Sequence, residues 1–213
     1  MAILFDLGAV VFRWQPAVLL QTALPRLAGD PQAAQALAAR FFQSFHVGSD
    51  WAEFDRGVLD EAQVVSRLSA RLDLPRQEVQ AVLDAIPAHL VLRQDTVDLA
   101  LELRAAGQAL YYLSNMPTSL IAHVHPRLQA MGCFIDGIYS SEVRLVKPEL
   151  PIFELAQQRF GLSPGEISFL DDSRSNVAAA RSLGWQAWEF LDAAGARRDL
   201  QRAGVCLGPP AAV

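Results

Sequence analysis

A few polar residues in this chain stand where apolar runs stop, and their types suit chemistry better than packing. Asp6 ends the run Ala2-Ile3-Leu4-Phe5. Ser114 and Asn115 end Ala109-Leu110-Tyr111-Tyr112-Leu113. Asp171 and Asp172 end Ile167-Ser168-Phe169-Leu170, and Asn176 follows on the first turn of the next helix. Lys147 lies in the loop-like stretch Arg144-Leu145-Val146-Lys147-Pro148, whose proline suits the first position of a helix. Carboxylates gathered at one edge repel each other unless a cation sits among them. Hard oxygen donors suit Mg²⁺, which keeps waters and shares a phosphate with the protein. A hydroxyl and a lysine can hold phosphate oxygens, while one carboxylate attacks phosphorus and forms an aspartyl-phosphate. The metal neutralises the charge of attack, and Lys147 balances both phosphate and carboxylate. Taken singly, each residue also has an ordinary reading as a turn acid, a helix-capping acid or a solvated loop lysine. Together, at the tips of one ordered pattern, they predict a site.

The elements that must position these residues are legible. Short continuous apolar runs suit strands buried on both faces of a parallel sheet. Besides the three above, Gln186–Phe190 and the shorter Gly204–Leu207 read this way. Between them lie helical segments over Asp95–Ala106, Thr118–Met131, Leu150–Phe160 and Ser173–Leu183, stopped by Gly107, Gly132, Gly161 and Gly184. This alternation is the βα pattern of a doubly wound sheet, and such sheets bind ligands at the C-terminal edge of their strands. Residues 14–92 differ. Pro16–Ala28, Pro31–Phe45, Glu61–Asp73 and Pro75–Ala85 are helix-like with no strand candidate between them. The reading is an α/β core over 1–13 and 93–213, with a helical cap over 14–92 inserted after the first strand.

The chain has 213 residues, 52% of them hydrophobic and 19% charged, with a formal net charge of -5. No basic block marks a nucleic-acid partner, and the composition is too apolar for a disordered chain. Mean hydropathy is +0.19, yet no run approaches the roughly 18–20 apolar residues that span a bilayer. The N-terminal run carries Asp6 and lacks a basic flank, so a mature cytoplasmic chain is expected rather than a signal peptide. Cys133 and Cys206 are too few for a disulfide framework. No internal repeat and no GxGxxG fingerprint occurs, and Gly208–Val213 reads as a frayed tail.

Four pieces in order resemble the haloacid dehalogenase-like (HAD) hydrolase superfamily: Phe5-Asp6-Leu7-Gly8-Ala9-Val10-Val11, Leu113-Ser114-Asn115, Val146-Lys147-Pro148-Glu149 with Ile152-Phe153, and Phe169-Leu170-Asp171-Asp172-Ser173 with Asn176. The FDLG opening and the DDSxxN ending resemble the subgroup of sugar-1-phosphate phosphatases and the phosphatase domain of soluble epoxide hydrolases. The resemblance implies a Rossmann-like core with a C1-type cap and a Mg²⁺-dependent phosphatase for a small phosphorylated metabolite, such as a sugar phosphate. It implies Asp6 as nucleophile and metal ligand, the Gly8 carbonyl as second ligand, Asp172 as the direct acidic ligand and Asp171 in support. Ser114 would bind the phosphoryl group with Asn115 beside it, Lys147 would clamp it, and Asn176 would orient the metal loop.

One departure matters. Phosphatases of this family usually carry a second aspartate two residues after the nucleophile, and here that position is Gly8. General acid–base help is worth about 10²–10⁴-fold. Three readings follow: a substrate with a good leaving group, a substitute group from the cap or a water, or a weak enzyme or phosphate-binding module. The haloacid dehalogenases are the rival enzyme, since they also lack that aspartate, but an acidic pair beside the nucleophile would repel a halocarboxylate anion. Candidate substrate contacts are Arg13 and Trp14 at the hinge, and Trp51 within the cap patch His46, Asp50, Trp51, Glu53 and Arg56. His123 and His125 are two apart and do not share a helix face, so no metal site is expected there.

Overall fold

The computed structural model describes residues 1–208; of the expected frayed tail, Gly208 donates its N–H to the Glu102 carbonyl at 3.1 Å and the rest lies outside the described residues. The chain starts in β1 (Ala2–Phe5) and enters five helices: α1 (Pro16–Ala23), α2 (Pro31–Phe41), α3 (Asp50–Asp55), α4 (Glu61–Leu72) and α5 (Arg76–His89). It then alternates through α6 (Gln94–Ala105), β2 (Ala109–Ser114), α7 (Thr118–Met131), β3 (Asp136–Tyr139), α8 (Ser140–Val143), α9 (Leu150–Phe160), β4 (Ile167–Asp171), α10 (Arg174–Ser182), β5 (Gln186–Glu189) and α11 (Ala193–Arg202). All strand pairs are parallel, in the order β3-β2-β1-β4-β5.

β1 is the centre of the sheet and every one of its residues is buried. Its side chains alternate between two cores, as the period of a strand demands. Ile3 and Phe5 join a core continuous with the helices of residues 16–89. Ala2 and Leu4 join a second core with Ile152, Phe153 and Val177 from α9 and α10. The register sets Phe5 opposite both Tyr112 and Leu170. Asp6, Ser114 and Asp171 therefore emerge near one sheet edge, and the Asp6 N–H donates to the Leu170 carbonyl at 2.9 Å.

The helical block starts its helices with side-chain caps. Asp30 accepts from the Ala33 N–H at 2.8 Å and Ser49 from the Ala52 N–H at 3.1 Å. Asp60 and Gln63 form a reciprocal capping box. Between α2 and α3 the backbone turns through Gln43, Ser44 and Phe45 at φ 48°, 49° and 56°, a left-handed run that non-glycine residues adopt only where the surroundings hold them.

Several expectations need correction. β3 is not among the strand candidates of the sequence, being four residues long and containing a glycine. It forms because Gly137 lets the strand lie against the Tyr112 ring, which a Cβ there would strike. Gly204–Leu207 is not a strand: the Val205 N–H turns back to the Leu200 carbonyl at 2.9 Å, so the segment closes α11 instead of joining the sheet. α1 and α2 stop short of Ala28 and Phe45, while α5 runs past Ala85 and through Pro87 to His89. Among the described residues, no helix is long and apolar enough to cross a membrane.

Candidate active site

The strand tips and the Lys147 loop meet in a polar hub. Asp171, 0% exposed, accepts from Lys147 Nζ at 2.6 Å, from the Ser173 N–H at 2.8 Å and from Asn176 Nδ2 at 2.9 and 3.1 Å. Both of its oxygens are engaged. Lys147 Nζ also donates to Asp6 Oδ1 at 2.7 Å and to the Leu113 carbonyl at 2.7 Å, so its three protons all have acceptors. Burial alone would pull this ammonium down, but Asp171 and Asp6 outweigh it and hold the pKa above its ordinary value.

The Lys147 loop is pinned from β2. Asn115 Oδ1 accepts from the Lys147 N–H at 2.9 Å, and its Nδ2 donates to the Lys147 carbonyl at 2.9 Å. Asn115, expected as a substrate contact, lines the cleft and also fixes the lysine's peptide. Ser114, expected at the phosphate, is only 1% exposed and does not line the cleft. Its Oγ reaches the Asn115 carbonyl at 3.4 Å.

Carboxyl oxygens of Asp6, Asp171 and Asp172 come within 4.8 Å of one another. Burial, with Asp171 and Asp172 nearby, pushes Asp6 up to about 7 despite Lys147. Asp172 opens onto the cleft but has protein packed around it. Desolvation and the Asp171 charge push it up to about 6. Two strained carboxyls facing one cleft with hard oxygen donors are a donor set that a small divalent cation fits. Asp6, Asp172 and the Gly8 backbone face the cleft together. Asp171 is the poorer direct ligand, since Lys147, Ser173 and Asn176 already occupy it.

The cleft itself runs between the sheet edge and the helical block. The block contributes Trp14, Ser44, Phe45, Trp51, Asp55, Ile86 and Leu90, and the α7 side contributes Met116, Pro117 and Leu120. Of the expected contacts, Trp14, Trp51, Asn115 and Lys147 are there. Trp51 sits in an aromatic cluster with Phe42 at 4.6 Å and Phe54 at 5.5 Å between ring centroids. Arg13 is exposed and does not line the cleft. Asp50, Glu53 and Arg56 of the polar patch are held in ion pairs. Asp50 pairs with Arg71 at 3.0 Å, and Arg56 pairs with Glu53 at 3.3 Å. Arg56 also grips both oxygens of Glu149 at 2.7 and 2.8 Å, tying α3 to the Lys147 loop. His125 lies 3.3 Å from the Tyr139 hydroxyl and takes no part in the site. Cys133 is buried, which pushes its thiol up to about 11, and Cys206 is exposed.

One cleft residue escaped the sequence reading. Asp55 is 5% exposed, and its carboxyl makes no hydrogen bond or ion pair among the described residues. Burial, then the Asp6 charge, drives it well above the carboxylate range. The available signal was its spacing: Asp55 follows Trp51 by four positions, one helical turn along the same face.

Comparison with known proteins bears on this geometry. A family model described as haloacid dehalogenase-like hydrolase matches residues 2–184. A sesquiterpene phosphatase of Aspergillus oryzae is 26% identical over 192 residues, covering 90% of each chain. An (S)-2-haloacid dehalogenase of Pseudomonas putida is 29% identical over 54% of this chain and 50% of its own. The crystal structure of a HAD family enzyme of Bacteroides thetaiotaomicron, in complex with magnesium and inorganic phosphate, superposes with a TM-score of 0.62. It covers 88% of this chain and 92% of its own at 21% identity, so the likeness is one of fold.

Proposed function

The chain belongs to the haloacid dehalogenase-like hydrolase family, and from that premise we propose that it is a Mg²⁺-dependent phosphomonoesterase working through an aspartyl-phosphate on Asp6. The observation that carries this reading is the hub. Asp6 is held by Lys147 at 2.7 Å, while Asp172 faces the same cleft without an ion pair among the described residues. In the proposed mechanism Asp6 attacks phosphorus with the oxygen that Lys147 leaves free. Lys147 favours the ionised form of that carboxylate and offsets phosphate charge. Asp171 holds Lys147, Asn176 holds Asp171, and Asn115 holds the lysine's backbone. The Ser114 hydroxyl, now beside the Asn115 carbonyl, turns to meet the phosphoryl group in this mechanism. Asp6, Asp172 and the Gly8 carbonyl would hold Mg²⁺, which when bound screens the charge gathered at the transferring phosphoryl group. Residues 14–92 act as a cap that closes the cleft and excludes water.

The walls favour an apolar leaving group over a sugar. Recognition of hydroxyls needs donors and acceptors facing them, and unpaired ones are penalised. The helical block offers mainly Trp14, Phe45, Trp51, Ile86 and Leu90, with Ser44 and Asp55 its polar contributions. The name of the Aspergillus oryzae relative, a phosphatase of a hydrocarbon-chain compound, agrees with this. The acids beside Asp6 disfavour a halocarboxylate anion, which argues against dehalogenation.

The test is hydrolysis of 4-nitrophenyl phosphate, octyl phosphate and glucose 1-phosphate with Mg²⁺ and with chelator. The expected result is Mg²⁺-dependent turnover that Asp6→Asn abolishes, with octyl phosphate preferred to glucose 1-phosphate. Full activity in Asp6→Asn overturns the mechanism, and a preference for the sugar overturns the substrate class.

A further inference from the structure

Position 8 leaves a job without a side chain. A Cβ built on Gly8 would meet only Trp14 Cβ and Cγ, both at 3.9 Å, so the space is open. An alkoxide leaving group cannot depart cheaply without a proton, and an apolar alkyl ester offers no alternative. Three carboxyls line the cleft: Asp6, Asp172 and Asp55. The first two are engaged in the proposed attack and cation binding. We propose that Asp55, carried on α3, is the catalytic acid–base of this enzyme and does the work that Gly8 cannot.

This inference rests on the phosphomonoesterase reading above. Its geometry is independent of it. Asp55 is buried in the cleft wall and its carboxyl has no hydrogen-bond partner among the described residues, an arrangement that suits a group held for a ligand. Its backbone, on the helical block, is also tied to the core. The Asp55 carbonyl accepts from Ser140 Oγ at 2.5 Å. Next to it, Arg56 holds Glu149 at 2.7 Å. Gly57 follows at φ 74°, and a Cβ there would press on the Ser141 carbonyl at 2.8 Å. Three consecutive residues thus anchor α3 to the elements around the Lys147 loop. A carboxyl fixed in this way can address the same point relative to Asp6 in every turnover. Burial also favours its neutral form, the form an acid needs at the outset.

The step balances. As an Asp6 oxygen bonds to phosphorus, the bond from phosphorus to the leaving oxygen breaks. That oxygen keeps the electron pair and takes the Asp55 proton, leaving as the alcohol. Water then attacks phosphorus and gives a proton to the Asp55 carboxylate. The bond to Asp6 breaks, and both carboxyls return to their starting forms as phosphate departs.

The discriminating readout is dependence on the leaving group. Asp55→Asn keeps size and backbone and removes the acid. It should slow octyl phosphate hydrolysis by about 10²–10⁴-fold, with a far smaller loss on 4-nitrophenyl phosphate, whose leaving group needs no proton. Adding Gly8→Asp to Asp55→Asn should recover octyl phosphate hydrolysis. Equal losses on both substrates, or no loss on either, overturn the role of Asp55 while leaving the Asp6 mechanism intact. A wild-type protein with no Mg²⁺-dependent turnover of either ester overturns the underlying reading, and the inference with it.

Discussion

The two walls of the cleft are built on opposite principles. On the sheet side, every buried charge has a partner: Lys147 reaches Asp6 and Asp171, and Asn176 and the Ser173 N–H complete Asp171. On the helical side, hydrocarbon and aromatic surface surrounds one carboxyl, Asp55, that has none among the described residues. A satisfied polar network is rigid, because removing any member strands the others. An apolar wall constrains shape but not hydrogen bonding, so it can take substrates of varied length. The division suggests chemistry fixed on one side and selectivity set on the other, with Asp55 the exception that crosses over.

The largest effect should come from breaking the network. Lys147→Met leaves Asp6 and Asp171 facing each other unpaired, and losing one partner of a buried ion pair costs about 3–5 kcal/mol. Urea unfolding should show this loss along with loss of turnover, and a loss below about 1 kcal/mol would mean the hub is not the rigid side of the cleft. Next is the pH dependence of the metal-free protein. The folded state keeps a proton on Asp6 up to about pH 7, against an ordinary 3.8. Between those values the folded state binds more protons than the unfolded chain, so raising the pH lowers stability. In chelator, the Tm of the wild type should therefore fall relative to Asp6→Asn as pH rises from about 4 to about 7. Mg²⁺ should restore the wild type and not the variant.

Smaller effects test the apolar wall and the seam. Phe45 is 42% exposed at the cleft, so Phe45→Ala should leave the Tm nearly unchanged. It should raise KM for octyl phosphate about tenfold, equivalent to about 1.4 kcal/mol of lost contact, without weakening inhibition by inorganic phosphate. If phosphate inhibition weakens in step, the two walls are not separable. Arg56→Ala cuts the bidentate tie to Glu149. Its partner is partly exposed, so the stability loss should be under about 1 kcal/mol. The leaving-group selectivity assigned to Asp55 should nonetheless blur, because α3 loses one of its anchors.

Most of the sheet side was legible in the chain. β1, β2 and β4 are buried on both faces and therefore read as apolar runs, and their polar ends marked Asp6, Ser114 and Asp171. β3 was not, because its formation depends on Gly137 meeting the Tyr112 ring across the sheet. Gly204–Leu207 looked like a strand because composition cannot tell a sheet edge from a chain folding back on a helix. The helical side was legible as helices but not as a wall. Trp51 was expected at the cleft, yet its neighbour Asp50 pairs with Arg71, Arg56 pairs with Glu53 and Glu149, and Asp55 carried no mark in the sequence beyond its spacing from Trp51. Ser114 and Asn115 illustrate the same limit within the site. Both stand at the end of β2, but whether an amide meets substrate, a peptide remote in the chain or both depends on what lies opposite.

The amino-acid sequence by itself determined the α/β alternation, the helical insertion and the identity of the acids and lysine at the strand tips. These follow from local periodicity and from turn residues acting over a few positions. Only the tertiary structure decided which of those groups share protons, that Asp171 is fully engaged while Asp172 faces the cleft, and that Asp55 enters the cleft 49 positions after Asp6. Such relations depend on distances between segments remote in the chain, and the packing of the sheet against the helical block sets them.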